Sequence, residues 1–277
     1  MSNWRNCISQ SVGSERINNL NEYVSSCVAS QKSPIDEFYD ESKNVLTLFP
    51  YNAWGYNSWT GSLASIAIIS SVENYYRQVF SKILKICVDS KRNAASNSVN
   101  LGSVIWHPLS EVERGAFEHI SLASSDNINN TSKKYVGIDL RKSGLEIILE
   151  EFDKICELRH GIVHSGNIVA GKNGIKLQLQ SNIDITKVNI GFDQFQKIMS
   201  VCNALVVDSN KVFFEELARR WATSWRNAPG WDSAEENSRF KDIWQVFFSK
   251  RDQENGTIPE DITWVKCKNR VIREFNI

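Results

Sequence analysis

Apolar residues recur every three or four positions in several long stretches of the 277-residue chain. This spacing places them on one face of an α-helix, so the pattern predicts a mostly helical protein. The stretch from Ser62 to Asp89 is apolar nearly all round in its first half, and we expect it at the centre of a helical bundle. The predicted helices cover residues 14–28, 62–89, 110–123, 143–165 and 192–225.

Breaks in this pattern predict the connections between the helices. Pro34 and the acidic run at 36–41 are expected to end the first helix, and an aromatic, Asn-rich loop follows over 49–59. Two polar segments, 90–102 and 126–134, are also predicted as loops.

Local signals define further boundaries. The pattern Ser-Glu-Val-Glu at 110–113 is a capping box that is expected to open a helix, and Gly166 is well placed to cap the helix that begins near Ser143. Residues 168–190 contain the sequence AGKNG beside alternating apolar positions, which predicts a two-strand hairpin. The predicted fold class is therefore all-α, a helical bundle with a minor β-hairpin insertion and a small C-terminal extension.

The helical pattern of apolar residues stops after Arg226, where Asn-Ala-Pro-Gly is a strong helix breaker. We therefore predict three parts. Residues 1–59 hold an N-terminal helix and the aromatic loop, and residues 60–226 form the bundle. Residues 227–277 are rich in Trp and basic side chains, and form either a small subdomain or an arm that packs back on the bundle.

Composition and charge restrict the function classes. Thirty-two basic and 32 acidic residues give a formal net charge of zero, which excludes a strongly basic nucleic-acid coat but leaves room for a focused basic site. The six cysteines form no C-x-x-C pair, and Cys87 and Cys156 fall in apolar helical runs, as expected for buried thiols in a reducing compartment. Without a signal-peptide core, or an apolar run near the ~20 residues of a membrane span, we expect a soluble cytoplasmic protein without membrane contact.

The segment ELRHGIVHSG at 157–166 gathers Arg159, His160 and His164 at the end of an apolar helix. Polar groups are costly there unless they are exposed, paired or at an interface. Gly161 adds to the cost, since Gly in a helix interior is about 1 kcal/mol less favourable than Ala. Its missing side chain would let another backbone approach closely, as at a helix–helix dimer contact. We interpret the segment as a site on a packing surface.

Arginine and histidine together have the chemistry that RNA cleavage by the ribose 2′-hydroxyl requires. Histidine has an ordinary pKa near ~6.5 and can exchange a proton at neutral pH, whereas arginine stays charged and presents a planar fork to phosphate oxygens. A fixed cation can stabilise charge that develops on the phosphate. Because RNA carries its own nucleophile, no metal-activated water is needed.

Arg159 and His164, with four residues between them and the polar His160 in second position, resemble the R-x4-6-H signature of HEPN domains, a name that abbreviates higher eukaryotes and prokaryotes nucleotide-binding. The long apolar helix with the block SVENYYR at 71–77 looks like the family's early helix. The order of a motif-bearing helix followed by a long final helix is also similar. The resemblance covers about residues 60–225.

The resemblance implies a metal-independent endoribonuclease without cofactors, of a kind that often acts as a toxin or antiphage defence effector. It implies a homodimer in which two copies of the motif face each other across one cleft. By position, Arg159 would bind the scissile phosphate and His164 would be the general acid–base. His160 would be an auxiliary polar group where the family more often has Asn or Asp, and Glu73 could orient Arg159 from the neighbouring helix. Any neutralising antitoxin or regulatory partner would be a separate chain.

The helical geometry sets a condition on this site. Arg159 and His164 are five residues apart, so at ~100° per residue they point about 140° apart on a straight helix. Either a partner subunit supplies the other half of the site, or the last turn is loosened near Gly161 and Gly166.

Other interpretations of the same residues stay open. The helix end could simply be solvated, and the His160–His164 spacing could serve a metal, although the H-E-x-x-H pattern is absent. Glu73 could form an ion pair with Arg77. Aromatic side chains at 51–59, the tryptophans at 221–231 and the basic group at 266–273 fit packing or a solvated surface as well as RNA binding. His107 and His119 fit ordinary, partly buried histidines. A non-catalytic relative that binds RNA, a nucleotide or a protein is the alternative to the enzyme.

Overall fold

The computed structural model describes residues 7–8, 13, 15–27, 30–54, 59–180, 184–229 and 231–277, and the chain divides into two compact units, Met1–Gln31 and Lys32–Ile277. In the first unit, residues 15–27 contain one 3-10 turn, Leu20–Tyr23, and the apolar side chains of Ile17, Leu20 and Val24 are exposed. The predicted helix over 14–28 is therefore wrong for these described residues. A short amphipathic helix is marginal without a surface to cover its apolar face.

The second unit is all-α, as predicted, and its described residues include no β-strand. Its α-helices are α1 (Pro34–Leu48), α2 (Trp59–Ile86), α3 (Val88–Ala94), α4 (Leu101–Trp106), α5 (Ser125–Thr131), α6 (Glu146–His164), α7 (Gly171–Lys176), α8 (Phe192–Arg220), α9 (Glu236–Phe247), α10 (Lys250–Glu254) and α11 (Trp264–Phe275). Among the described residues, no helix has the length and apolar content to cross a membrane.

Helix α2 lies at the centre of this unit, as its apolar character predicts. It packs against α1, α6 and α8, and its side chains from Ala64 to Leu84 supply much of the core. The buried hydroxyl groups of Tyr76 and Ser209 are 2.7 Å apart and link α2 to α8. The predicted long helix at 192–225 is also confirmed, since α8 continues into a π-helical turn at Trp221–Trp225.

Helix α1 was not predicted, although its start carries clear signals. Ser33 is the N-cap and accepts a hydrogen bond from the Asp36 backbone N–H, Pro34 occupies the first turn, and Asp36 and Glu37 follow. Proline and acidic residues are favourable at a helix N-terminus. The same residues that were expected to end a helix therefore begin one.

Helix α6 carries the segment that the sequence singles out. The chain kinks just before it, where Gly144 has φ +93°, and the helix then continues without a break to His164. Gly166 follows with φ +60°, a left-handed conformation that favours glycine, which confirms its place at the helix end.

Four local predictions are wrong. The predicted loops at 90–102 and 126–134 contain parts of α3, α4 and α5, and the capping box at 110–113 lies in a 3-10 helix, Leu109–Ala116. In the described parts of the predicted hairpin, 168–180 and 184–190, the structure has α7 and an isolated antiparallel bridge between Ile168 and Lys187. The buried Asn173 of α7 donates to the Glu157 side chain at 2.7 Å, so a tertiary contact overrides the turn preference of the sequence.

The C-terminal residues form α9, α10 and α11 within the same compact unit. Helix α9 packs against α2 and α8, and α11 packs against α9 and α8. Phe240 and Ile243 of α9 are fully buried. Among the cysteines, Cys87 and Cys156 are buried as expected.

Candidate functional site at the end of α6

The C-terminal turns of α6 position Arg159, His160 and His164. The Arg159 side chain is half-buried, whereas both histidines are exposed. His160 and His164 are four residues apart and share a face, and their ring centroids lie 4.8 Å apart. The structure therefore presents two neighbouring imidazoles to solvent beside a half-buried guanidinium.

Arg159 makes no hydrogen bond or ion pair with any described residue. Its charge nevertheless acts on Cys156, one turn earlier on α6. Burial is the main cause that raises the pKa of the Cys156 thiol; the charge of Glu73 raises it further, and the charge of Arg159 lowers it. The charges of Arg159 on α6 and Glu73 on α2 thus act on the pKa of the same buried thiol in opposite directions.

Glu73 has its own partners. Its Oε1 accepts hydrogen bonds from the backbone N–H groups of Leu122 at 2.9 Å and Ala123 at 3.0 Å, and it pairs with Arg77 at 3.2 Å. The intrahelical pair that the sequence left open is therefore present. No hydrogen bond or ion pair joins Glu73 to Arg159 in the described part of the chain. The Glu73 carboxylate instead holds the backbone of residues 122–123 against α2.

Gly161 allows a close contact within the same chain. A Cβ at this position would lie 2.9 Å from the Ile168 carbonyl oxygen and 3.4 Å from Val188. The Gly161 carbonyl accepts hydrogen bonds from the N–H groups of Ser165 and Asn167. The expectation that Gly161 admits the backbone of a second subunit is therefore corrected: the space is filled by residues 168 and 188.

The regular geometry of α6 keeps Arg159 and His164 apart in direction. The helix is unbroken through His164, and the left-handed residues Gly166 and Asn167 come only after it. The loosened last turn that would have brought both side chains to one face is not observed. Of the two ways to assemble the site, the one that uses a second copy remains.

The other histidines lie elsewhere. His107 is half-buried and its Nε2 contacts Glu118 Oε1, which matches an ordinary structural histidine, whereas His119 is exposed. No group of three or more His, Cys, Asp or Glu side chains among the described residues is arranged to hold a metal ion.

The aromatic and basic groups outside α6 are engaged in packing and ion pairs. Trp54 packs against Phe192 and Phe195 with ring centroids 5.5 and 5.0 Å apart, and Trp221 and Trp225 are buried. Tyr56 lies outside the described residues.

The basic side chains of α11 are partly neutralised. Lys266 pairs with Asp261 at 2.5 Å, and Lys268 donates to Asn237 at 2.6 Å. These contacts fit a packed surface better than a phosphate-binding track.

The face of α6 that carries His160 and His164 also carries two acids, Asp153 and Glu157, with partners that the sequence did not indicate. Lys176 of α7 pairs with Asp153 at 2.7 Å and with Glu157, which also accepts from Asn173. Asp153, Glu157 and Lys176 line a surface cavity of about 220 Å³. Since α7 was predicted as a hairpin turn, no sequence signal placed Lys176 beside α6.

A larger cavity of about 780 Å³ lies between α8, α11 and the residues after Val136. Its lining includes Lys142, Arg219 and Phe275. Neither cavity is lined by Arg159, His160 or His164. At the end of α6, His160 and His164 are exposed to solvent.

No protein-family model, curated protein or solved structure matches this chain.

Proposed function

We propose that this chain is a metal-independent endoribonuclease of the HEPN type, in which two copies bring their α6 ends around one RNA phosphodiester. Arg159 binds the phosphate and stabilises the charge that develops on it. His164 transfers the proton between the 2′-hydroxyl and the leaving oxygen, and His160 is an auxiliary polar group beside it.

The observation that carries the proposal is the state of Arg159. A half-buried guanidinium has lost part of its hydration, and such groups are normally paired with a carboxylate or phosphate. Within the described residues, Arg159 has no such partner, although its chain neighbours Asp153 and Glu157 are both paired. A phosphate is the bidentate acceptor that this fork suits.

The exposed histidines support the same assignment. A group that exchanges protons with a large substrate must be open to it, and His160 and His164 are exposed side by side at the helix end. The protein then acts as a toxin or antiphage effector whose restraint comes from a separate antitoxin chain.

A non-catalytic RNA-binding module is the second candidate, and one observation favours it. On an unbroken α6, Arg159 and His164 point about 140° apart, so one chain alone does not align the phosphate ligand with the proton donor.

Both candidates are tested with purified full-length protein, total RNA and excess EDTA. The enzyme predicts cleavage in EDTA by the wild type and none by Arg159→Ala or His164→Ala. The matched controls are His119→Ala and Arg273→Ala, which also remove exposed side chains and should cleave like the wild type. RNA binding without cleavage, lost in Arg159→Ala, supports the binding module. Equal cleavage by all variants indicates contamination and contradicts the enzyme.

A further inference from the structure

An exposed apolar surface lies at residues 101–109, far from α6 in the sequence. Leu101, Ile105, Trp106 and Leu109 are 70, 77, 84 and 87% exposed, and they fall within nine consecutive residues. We name these four side chains the apolar ridge. Isolated exposed apolar residues are normal, but four large ones in one place mark an interaction surface.

Contacts on the other side of α4 fix the orientation of this helix and so keep the apolar side chains exposed. Ser103 and His107 share one face of the helix, and both bind Glu118: the Ser103 hydroxyl donates to it at 2.7 Å. Gly115 leaves room for this face, since a Cβ there would lie 2.6 Å from Ser103 Cβ. The polar face of α4 is therefore held against the protein, and Leu101 and Ile105 are turned outward.

The area of the ridge suits a pair of copies. At about 150–250 Å² for a large side chain, the four residues expose on the order of 600 Å². That is at the upper limit for the largest patch on an ordinary monomer, roughly 300–600 Å². Two ridges in contact would bury on the order of 1,200 Å², which is the lower end for a specific protein interface.

The surrounding charge argues against lipid or nucleic acid as the occupant. Between residues 97 and 123 the chain has three carboxylates, Glu111, Glu113 and Glu118, against one guanidinium, Arg114, a formal charge of −2 with histidines neutral. Anionic membranes and RNA attract basic surfaces. An apolar ridge on a segment without excess positive charge is better covered by protein.

We propose that the apolar ridge is a self-association surface that pairs with the same ridge of a second copy of this chain. A two-fold interface must contain both the projection and the recess that receives it. Trp106 is the projection, and Gly102, one turn before it on α4, is exposed and has no side chain of its own to block an incoming ring. An antiparallel pair of α4 helices seats each Trp106 against Gly102 of the other copy. This surface is independent of the ribonuclease proposal, because it uses none of Arg159, His160 and His164.

The test is sedimentation velocity on the full-length protein without RNA, over about 1–100 µM, the range in which modest interfaces dissociate. The wild type should form dimers that dissociate on dilution. Ile105→Ser combined with Trp106→Ser should weaken association at least ~30-fold, because buried Trp anchors dominate such interfaces. Ile175→Ser, at a residue that is 81% exposed, is the matched control and should leave association unchanged. Circular dichroism of all three proteins verifies that each is folded.

Each remaining outcome is decisive. If the α6 ends also pair, the wild type should form assemblies larger than a dimer. The double variant should then have half the mass of these assemblies, which supports the proposal. A wild type that is monomeric throughout overturns it, and so does a dimer that the double variant leaves intact. Binding of monomers to phosphatidylcholine vesicles, lost in the double variant, overturns it in favour of a lipid surface.

Discussion

Helix α6 carries two groups of charged and polar side chains that differ in how they are satisfied. The acidic flank consists of Asp153 and Glu157, which are paired with Lys176, and Asn173 adds a hydrogen bond to Glu157. The basic side consists of Arg159, to which the described part of the chain offers no hydrogen-bond acceptor, and of His160 and His164, which face solvent. The two histidines lie on the same face of the helix as the acids, nearer its C-terminus, and Arg159 points away from that face. The same helix is thus closed by its own chain at the acids and left available at its C-terminal end.

This difference distinguishes residues of α6 that have a structural role from residues that do not. The paired acids attach α7 to α6, which is a sufficient reason for their presence. No comparable structural role explains Arg159, since a half-buried cation without a partner is a cost to the fold. We infer that the basic side binds a ligand, and its positive charge favours an anion.

The largest effect is expected for Arg159→Ala. Removing the phosphate ligand should lower the rate of RNA cleavage by ~10²–10³-fold, as for loss of one stabilising donor. The free energy of unfolding should change by less than ~0.5 kcal/mol, because no described contact is lost. Cleavage assays and urea denaturation measure the two quantities. Lys176→Ala on the acidic flank is the control, and it should leave cleavage unchanged. A large loss of stability in Arg159→Ala would mean that the residue has a structural partner.

Gly161→Ala should break the connection between the helix and the segment that covers it. The new Cβ would lie 2.9 Å from the Ile168 carbonyl oxygen, and this backbone must move. We expect a loss of about 1–2 kcal/mol, since overpacking outweighs the better helix propensity of Ala. Thermal denaturation measures the stability of this variant against that of Gly171→Ala. A Cβ at position 171 would have no other atom within 4 Å, so the second variant is the control. Equal stability of the two variants would refute the packing role.

Glu73→Ala sharpens the assignment of the acid that the sequence offered as a partner for Arg159. The change leaves the N–H groups of Leu122 and Ala123 without their acceptor, and should cost about 1–2 kcal/mol in the free energy of unfolding. Cleavage per folded molecule should fall less than ~3-fold. Glu215→Ala, at an exposed acid on α8, is the control for charge. Inactivation without loss of stability would instead show that Glu73 orients Arg159.

The smallest effect concerns the pH dependence of the acidic flank. The hydrogen bonds that Lys176 donates to Asp153 and Glu157 raise the pKa of Lys176 above its ordinary value of 10.5. A pKa that is raised on folding stabilises the protein below pH 10.5, and this contribution is lost as the pH rises through the folded-state pKa. Because Lys176 is half exposed, we expect less than ~1 kcal/mol. Urea denaturation at pH 8 and at about pH 11 measures the effect: the difference in the free energy of unfolding between the wild type and Lys176→Met should be smaller at the higher pH.

The predictable parts of the fold are those with long periodic patterns. The helices around Val72 and Leu205 are long and apolar, so burial alone determines their structure. Segments such as α7 depend on contacts from elsewhere in the chain, and the tie from Asn173 to Glu157 cannot be read from local residues.

The candidate site shows the same division. The pattern predicted that Arg159 and His164 share a helix end, and they do. It did not predict that Gly161 receives the carbonyl of Ile168, because that contact depends on how the residues after Gly166 fold back. The apolar ridge was missed because residues 101–109 combine the end of a Ser- and Asn-rich segment with a proline, which reads as a loop.

The most direct test of the central claim identifies the ends of the RNA fragments released in EDTA. Attack by the 2′-hydroxyl at a phosphate held by Arg159 predicts a 2′,3′-cyclic phosphate on one fragment and a 5′-hydroxyl on the other, with neither formed by Arg159→Ala. Fragments that carry a 5′-phosphate, or cyclic ends formed equally by Arg159→Ala, would contradict the account.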